Sequence, residues 1–144
     1  MEFEVTTIIE RSAAVVWDFY AVHHVRNHPR WDPDMSLEQV TSGPIGVGTV
    51  IRRRYTRFGV PYEGTMEIVE FDPLRAMGAK IRDGQTEMTG RAALAAEGPN
   101  RTRLTTHVDI TGADPSMAEK LTPLVQQGYD TIKRLIESEY EPGS

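Results

Sequence analysis

The start of the chain passes from a strand-like to a helical pattern of apolar positions. Residues 2–9 alternate with a period of two, and this alternation predicts a half-buried strand. Ser12 is a typical N-cap residue, and the apolar positions that follow it recur at helical spacing, which predicts a first short helix. A second short helix is predicted over residues 23–27. We expect it to end before Pro29, because proline favours extended geometry in the residue that precedes it.

Glycine and proline then divide residues 36–112 into segments of strand length. Turn signals such as Asp72-Pro73 and Asp83-Gly84 separate these segments. The six predicted strands are residues 36–42, 48–57, 61–71, 75–82, 85–96 and 101–111. Because the connections are short, consecutive strands are expected to pair antiparallel, and with the N-terminal strand they would form a sheet of seven.

Charged residues mark one face of this sheet as the outer face. They share one side of their strands, where opposite charges would pair across neighbouring strands: Arg52, Arg54, Glu63, Glu67, Lys80, Arg82, Glu87 and Arg91. The opposite, inner face carries small residues and methionines: Gly64, Met66, Met77, Ala79, Met88, Gly90 and Ala92. Such a face either lets a helix pack closely or leaves a cavity, because protein interiors otherwise fill their space at a density of about 0.74.

The last predicted element is a long helix. Asp114 followed by Pro115 is a typical helix start, since proline fits the first helical position. A single apolar stripe then runs along the segment: Met117, Ala118, Leu121, Leu124, Val125, Gly128, Ile132, Leu135 and Ile136. The order of elements predicts an α+β domain in which helices cover one face of an antiparallel sheet.

Length and charge narrow the possible functions. The 144 residues predict a single domain, 1–144, with a polar tail at 139–144. A net charge of −5 without a basic run is unfavourable for binding nucleic acid. The chain has no cysteine, which excludes disulfides and thiol chemistry, and no apolar run long enough to predict a transmembrane helix. Because its start shows no signal-peptide pattern, a cytoplasmic location is expected.

Two polar residues fall on the inner face of the predicted strand 48–57. Arg53 and Tyr55 point inward if Arg52 and Arg54 point outward. A buried guanidinium is costly unless it meets a carboxylate, water or a polar ligand, so Arg53 is a candidate for ligand binding or catalysis. The alternative is that the strand edge or a bulge turns Arg53 to solvent.

Other candidate residues have simpler explanations. His24 and His28 have the i, i+4 spacing of metal ligands, but no HExxH motif surrounds them, so we expect a solvated helix end and no metal. Trp31 either closes the mouth of a cavity or covers the short helices. His107 is expected on the exposed outer face, and Asp32 is expected in a turn.

Five short motifs, in order along nearly the whole chain, resemble those of the START/SRPBCC (helix-grip, Bet v 1-like) superfamily. They are SAAVVWDFY at 12–20, HPRWDP at 28–33, GVGT at 46–49, IVEFDP at 68–73 and TRLT at 102–105. The polyketide cyclase/dehydrase-like branch is the most similar. This resemblance implies a curved, seven-stranded antiparallel sheet wrapped around the long C-terminal helix, with two short helices after the first strand and an apolar cavity inside.

The resemblance also implies that the cavity binds a small hydrophobic molecule, polyketide-, lipid- or aromatic-like. A cyclase or dehydratase acting by proton transfer, a non-catalytic carrier and a ligand-free protein-interaction module all stay open. In an enzyme, Arg53 would stabilise enolate or alkoxide charge and Tyr55 would donate or accept a proton. We expect no cofactor and either a monomer or a homodimer. The residues expected to contact the ligand are Trp31, Ile51, Tyr62, Met66, Met77, Met88, Thr106, Leu121, Val125 and Tyr129.

Overall fold

Backbone hydrogen bonds join the strands into one antiparallel sheet. In the computed structural model, which describes residues 1–114 and 116–143, seven strands run in the spatial order β1-β7-β6-β5-β4-β3-β2. They are β1 (Glu2–Ile9), β2 (Ser36–Gln39), β3 (Val50–Arg57), β4 (Val60–Asp72), β5 (Ala76–Asp83), β6 (Thr86–Ala96) and β7 (Thr102–Thr111). From β2 to β7 each strand pairs with its neighbour in the chain, while β1 pairs with β7.

Helical segments follow β1 and β7. They are α1 (Ala13–Trp17), a π-helical turn (Asp18–Val22), α2 (His24–Trp31) and α3 (Ser116–Glu139). Ser12 caps α1 as expected, because its side-chain oxygen accepts the N–H of Val15. The Asp114 carboxylate likewise accepts the N–H of Ser116 at 2.9 Å. Pro115, predicted at the first position of this helix, lies outside the described residues.

The predicted fold class is confirmed. The chain forms an α+β structure with a seven-stranded antiparallel sheet, two short helices after the first strand and a long C-terminal helix. Strand boundaries differ most at β2, which is predicted to reach residue 42 but ends at Gln39. The glycine-containing segment that follows is irregular up to the start of β3.

The second helix runs through Pro29, contrary to the prediction. It extends to Trp31, and the N–H of Asp32 still donates to the carbonyl of His28 at 3.0 Å. Proline removes one internal hydrogen bond from a helix. Tertiary contacts hold this end of the helix nonetheless, since the Trp31 ring stacks on the Tyr20 ring with 5.4 Å between centroids. Packing therefore overrides the local signal.

The outer face of the sheet carries the predicted charges. All the residues assigned to it are exposed, and opposite charges pair across neighbouring strands. Arg54 on β3 lies 2.9 Å from Glu63 on β4, and Arg91 on β6 reaches over Gly78 of β5 to lie 2.8 Å from Glu70 on β4. Exposed pairs of this kind stabilise a protein by only about 0.2–1 kcal/mol each. Their position matters more, because it confirms that Arg53, one residue before Arg54, faces inward.

The long helix α3 is packed unevenly along its length. In its second half Gly128, Tyr129, Ile132 and Ile136 are buried, and the helix contacts β1. In its first half, residues 116–127, no side chain is fully buried. The first half therefore covers the sheet without filling the space beneath it.

Candidate ligand-binding cavity

A cavity of about 550 Å³ lies between the inner face of the sheet, α2 and the first half of α3. Small-molecule sites usually measure about 300–1,000 Å³. Much of the wall is apolar and consists of Met66, Met77, Ile81, Met88, Val108, Met117, Leu121 and Val125. Methionine side chains are flexible and polarizable, so this wall can adapt to an irregular ligand.

Two glycines determine where the helices pack closely and where space remains. A Cβ atom added to Gly128 would lie 3.3 Å from the Cδ1 atom of Trp31, so glycine lets α3 approach α2 here. A Cβ atom added to Gly90, on the cavity wall in β6, would meet no atom within 4 Å. Close packing and a cavity, the two alternatives that the small residues left open, are therefore both present at different positions.

A buried ion pair lies where β3, β4 and β5 meet one end of the cavity. The side chains of Arg53 and Asp83 are 8% and 1% exposed, and Arg53 Nε lies 3.2 Å from Asp83 Oδ1. These two atoms are close enough for an ion pair but are not aligned for a hydrogen bond. Gly64 lies between the two residues in the sheet register. Its lack of a side chain is required, because a Cβ atom there would lie 2.1 Å from Asp83 Oδ1.

The Tyr55 hydroxyl is held by the same carboxylate. It donates to Asp83 Oδ2 at 2.5 Å, and its ring stacks on Tyr62 with 5.1 Å between centroids. Burial, and then the hydrogen bond to Asp83, raises the pKa of Tyr55 to about 12. Tyr55 is therefore a protonated phenol at neutral pH, and its hydrogen is directed at Asp83.

Asp83 and Asp32 are the candidate residues that sequence reasoning missed. The following Gly84 suggests that Asp83 belongs to a turn, yet Asp83 ends β5 with a buried side chain. The alternation of β5 carries the missed signal, since Asp83 continues the inward-facing series to which Ile81 belongs. Asp32, also assigned to a turn, lines the cavity and lies 3.2 Å from Arg57.

The prediction that His24 and His28 form a solvated helix end is wrong. His24 is 3% exposed, while His28 is half-buried and lines the cavity. His24 Nδ1 lies 2.8 Å from the carbonyl oxygen of Tyr20, and His28 Nδ1 lies 3.0 Å from His24 Nε2. Burial lowers the pKa of His24 to about 4 and lowers the pKa of His28 well below its usual value. Both rings are shielded because Trp31 stacks on His28 and meets His24 edge-on.

A third polar group on the wall consists of hydroxyls. The hydroxyl oxygens of Tyr20 and Tyr129 are 3.0 Å apart, and the Thr106 side chain, whose hydroxyl donates to the carbonyl of Arg91, lines the cavity with them. Burial raises the pKa of both tyrosines, so both stay protonated. All three residues line the cavity, which gives this part of the wall uncharged donors and acceptors.

Most of the residues predicted to contact a ligand or act on it surround the cavity. They are Trp31, Arg53, Tyr55, Tyr62, Met66, Met77, Met88, Thr106, Leu121, Val125 and Tyr129. Ile51 does not line it, because this residue is fully buried in the core beside its cross-strand partner Met66 and has no surface left for a ligand. Trp31 both lines the cavity and packs on the short helices. The roles of these residues in binding or catalysis stay predictions.

Across residues 1–114 and 116–143, no three His, Cys, Asp or Glu side chains come together in a way that could hold a metal ion. No helix within these described segments combines the length and the apolar character needed to cross a membrane. The outer-face residue His107 is exposed as predicted and lies near Glu2 and Glu4.

A seven-stranded antiparallel sheet packed on a long C-terminal helix, with a cavity between them, defines the helix-grip class of proteins. The chain belongs to the polyketide cyclase / dehydrase and lipid transport family, whose model matches residues 1–137. The resemblance to the START/SRPBCC superfamily is thereby confirmed.

Several solved structures share this fold. A START superfamily protein from Mycobacterium smegmatis has a TM-score of 0.78 at 13% identity, over 96% of this chain and 99% of that one. The Zhui aromatase/cyclase from a Streptomyces species has a TM-score of 0.74 at 20% identity, over 95% of this chain and 93% of that one. Norcoclaurine synthase from Thalictrum flavum has a TM-score of 0.71 at 15% identity, over 98% and 88%. At these identities the likeness establishes the fold alone. No curated protein sequence matches the chain.

Proposed function

We infer that this protein binds a small, largely apolar molecule that carries oxygen substituents, in the cavity beneath α3. The observation behind this inference is the cavity of about 550 Å³, whose largely apolar wall also carries ordered polar side chains. Small-molecule sites typically combine a large apolar contact surface with a few fixed polar groups that orient the ligand. The cavity has this combination.

The polar groups favour a ligand with a carbonyl or hydroxyl group. Because Asp83 balances the charge of Arg53, a neutral ligand does not have to supply a counter-charge. The hydroxyls of Tyr20 and Tyr129, with the side chain of Thr106, offer uncharged hydrogen-bonding partners. A hydrocarbon without oxygen could make no hydrogen bond with these groups.

The names of similar proteins agree with a ring-containing ligand. The Thalictrum norcoclaurine synthase structure is a complex with dopamine and hydroxybenzaldehyde, and the Streptomyces protein is an aromatase/cyclase. The family description includes polyketide cyclases, dehydrases and lipid transport. We therefore place an aromatic or polyketide-like molecule ahead of a simple acyl chain.

Native mass spectrometry of the protein purified from its own host tests this function directly. We expect the wild-type protein to retain a small molecule that is released on unfolding. In Gly90→Leu the new side chain enters the open space over β6, so the molecule should be lost, or its affinity reduced at least about tenfold. Gly90→Ala is the matched control and should retain it. If the wild-type protein carries nothing and binds no aromatic probe, the proposed function is wrong.

A second candidate function is catalysis by proton transfer, and the environment of Arg53 favours it. A guanidinium held in place by Asp83 would stabilise an enolate or alkoxide formed in the cavity without having to reorganise. Tyr55 suits a positioning role better than proton exchange, because its hydrogen is directed at Asp83 and its pKa is raised to about 12. In this function Tyr55 keeps Asp83, and through it Arg53, in a fixed place.

Carrier and enzyme can be separated once the bound molecule is known. Replacing Arg53 by methionine and Asp83 by leucine together removes both charges, and so avoids leaving one of them buried alone. If this double variant binds the molecule but no longer converts it, the protein is an enzyme that uses the pair. If the wild-type protein binds the molecule and never converts it, the carrier function is supported. If the variant still converts it, Arg53 has no catalytic role.

A further inference from the structure

We propose that the Nε2 atom of His28 is a neutral hydrogen-bond acceptor on the cavity wall, which binds the hydroxyl of a phenol or enol. This rests on the proposed function, because the hydroxyl must belong to a ligand inside the cavity. It adds an acceptor atom and a narrower ligand class, namely a molecule with an acidic hydroxyl on an aromatic ring or a conjugated chain.

The hydrogen positions on the two histidines follow from their partners. A carbonyl oxygen can only accept, so His24 Nδ1, which lies 2.8 Å from the Tyr20 carbonyl oxygen, carries the hydrogen of that bond. In a neutral ring His24 Nε2 then has a lone pair, and His28 Nδ1, 3.0 Å away, must donate to it. A neutral His28 ring therefore has its own lone pair on Nε2.

Nothing in the described part of the chain uses that lone pair. The hydrogen bond found for the His28 ring is the one to His24, made through Nδ1. His28 is half-buried and lines the cavity. A ligand in the cavity can therefore reach a nitrogen acceptor that the protein leaves unoccupied.

The surroundings keep both rings neutral at physiological pH. Burial is the largest cause, and it lowers the pKa of His24 to about 4 and that of His28 well below its usual value. His24 and the cations Arg53 and Arg57, which lie near His28, lower the pKa of His28 further. Each of the two cations has its own carboxylate partner in the cavity region, Asp83 for Arg53 and Asp32 for Arg57.

The His28 ring is also fixed in orientation. It stacks on Trp31 with 5.0 Å between centroids and 14° between planes, while its Nδ1 atom is tied to His24. A fixed ring keeps the Nε2 lone pair in one direction, so little side-chain conformational entropy is lost when a hydroxyl binds there. Because the ring stays neutral, the ligand hydroxyl keeps its proton and donates a hydrogen bond to Nε2.

The test compares two probes that differ in one hydroxyl, naphthol and its methyl ether, with the full-length protein at neutral pH. We expect the wild-type protein to bind naphthol about tenfold more tightly than the ether, which is the usual value of one well-placed hydrogen bond. His28→Phe keeps an aromatic ring on Trp31 but has no acceptor, so it should lose this preference while binding the ether as before. His23→Phe alters the neighbouring histidine, which does not line the cavity, and is the matched control.

Fluorescence of bound naphthol reports whether its hydroxyl contacts a proton acceptor. Excited naphthol is a far stronger acid than naphthol in its ground state, and it emits as naphtholate only if an acceptor takes its proton. We expect naphtholate emission from the wild-type complex and from His23→Phe, and emission of protonated naphthol from His28→Phe. A purely structural role for His28 would not produce this difference.

The outcomes distinguish the acceptor from the proposed function. If neither probe binds, the proposed function fails and the acceptor fails with it. If both bind equally well and His28→Phe changes nothing, the cavity binds ligands but His28 is not the acceptor. His28 is likewise not the acceptor if His28→Phe weakens both probes alike. Should His28→Phe not fold, nitrogen NMR of the wild-type protein decides, because a hydrogen on His28 Nε2 would overturn the proposal.

Discussion

Two polar clusters at the cavity, the Arg53–Asp83 pair and the two histidines of α2, are kept inside the protein by opposite means. Where β3, β4 and β5 meet, Arg53 and Asp83 form an ion pair with 3.2 Å between Nε and Oδ1. On α2, His24 and His28 are kept neutral, and each donates from Nδ1 to an acceptor. The ion pair therefore presents a guanidinium fixed by its carboxylate, and the histidines present a neutral acceptor.

This difference determines which change, a mutation or a shift in pH, destabilises the protein through each cluster. The stability of a protein with a buried ion pair depends on both partners, since removal of one leaves the other charge buried alone. The stability of a protein with a buried neutral histidine depends on pH, since protonation of that histidine in the unfolded chain favours unfolding. Removing a partner residue should therefore lower stability mainly through the Arg53–Asp83 pair. Acidification should lower stability mainly through His24 and His28.

The largest effect is expected from Asp83→Ala. This change leaves the guanidinium of Arg53 buried without its carboxylate and removes the acceptor of the Tyr55 hydroxyl. Removing one member of a buried ion pair typically costs about 3–5 kcal/mol of unfolding free energy. Urea denaturation of the variant and the wild-type protein measures this loss.

The control for Asp83→Ala is a pair of the same kind on the outer face. Glu63→Ala breaks the ion pair between Glu63, 73% exposed, and Arg54, 63% exposed. It should lower the free energy of unfolding by less than about 1 kcal/mol. Equal losses in the two variants would contradict the claim that Arg53 depends on Asp83. Replacing Arg53 and Asp83 together by apolar residues should recover much of the lost stability.

The environment of Arg53 could be predicted from the sequence better than that of His24 and His28, for a physical reason. Side chains alternate strictly along a strand, so Arg52 and Arg54 outside require Arg53 inside. Its partner was missed because Asp83 followed by Gly84 is also a typical turn, and local sequence cannot tell a turn carboxylate from an inward-facing one. Strand order and cross-strand register were needed to bring Asp83 next to Gly64 and Arg53.

The burial of His24 and His28 depends on packing between segments that lie far apart in the chain. The shielding of His28 requires Trp31, whose position is possible because Gly128 lets α3 approach. The helix also had to continue through Pro29, against a local signal that is usually reliable. No pattern within residues 23–31 contains this information, so a solvated helix end was the expectation that local sequence favoured.

Acidification should produce the second largest effect. The pKa of His24 is about 4 in the folded protein and near 6.5 in an unfolded chain, so the unfolded state binds more protons between these values. Stability must therefore fall as the pH falls through this window. For His24 the loss is about 2 kcal/mol by pH 5 and about 3 kcal/mol by pH 4, and His28 adds to it in the same direction.

Urea denaturation as a function of pH measures the contribution of the histidines. A variant with His24→Leu and His28→Leu should show a shallower loss of stability between pH 7 and pH 5 than the wild-type protein. The difference in slope between the two curves removes the contribution of the carboxylates, which titrate in both proteins. An unchanged slope would show that the two rings are not kept neutral in the folded state.

The smallest effect is expected at the hydroxyls of Tyr20 and Tyr129, which are neutral partners on the wall that adjoins α2. Tyr20→Phe and Tyr129→Phe each remove one hydroxyl and leave the ring, so each should cost about 1 kcal/mol of unfolding free energy, the net value of a typical hydrogen bond. The double variant should cost less than the sum, because the hydroxyl left behind by either single change is buried without that partner. Additive losses in this double-mutant cycle would show that the two hydroxyls do not interact, and the neutral polar cluster beside α2 would then consist of the histidines alone.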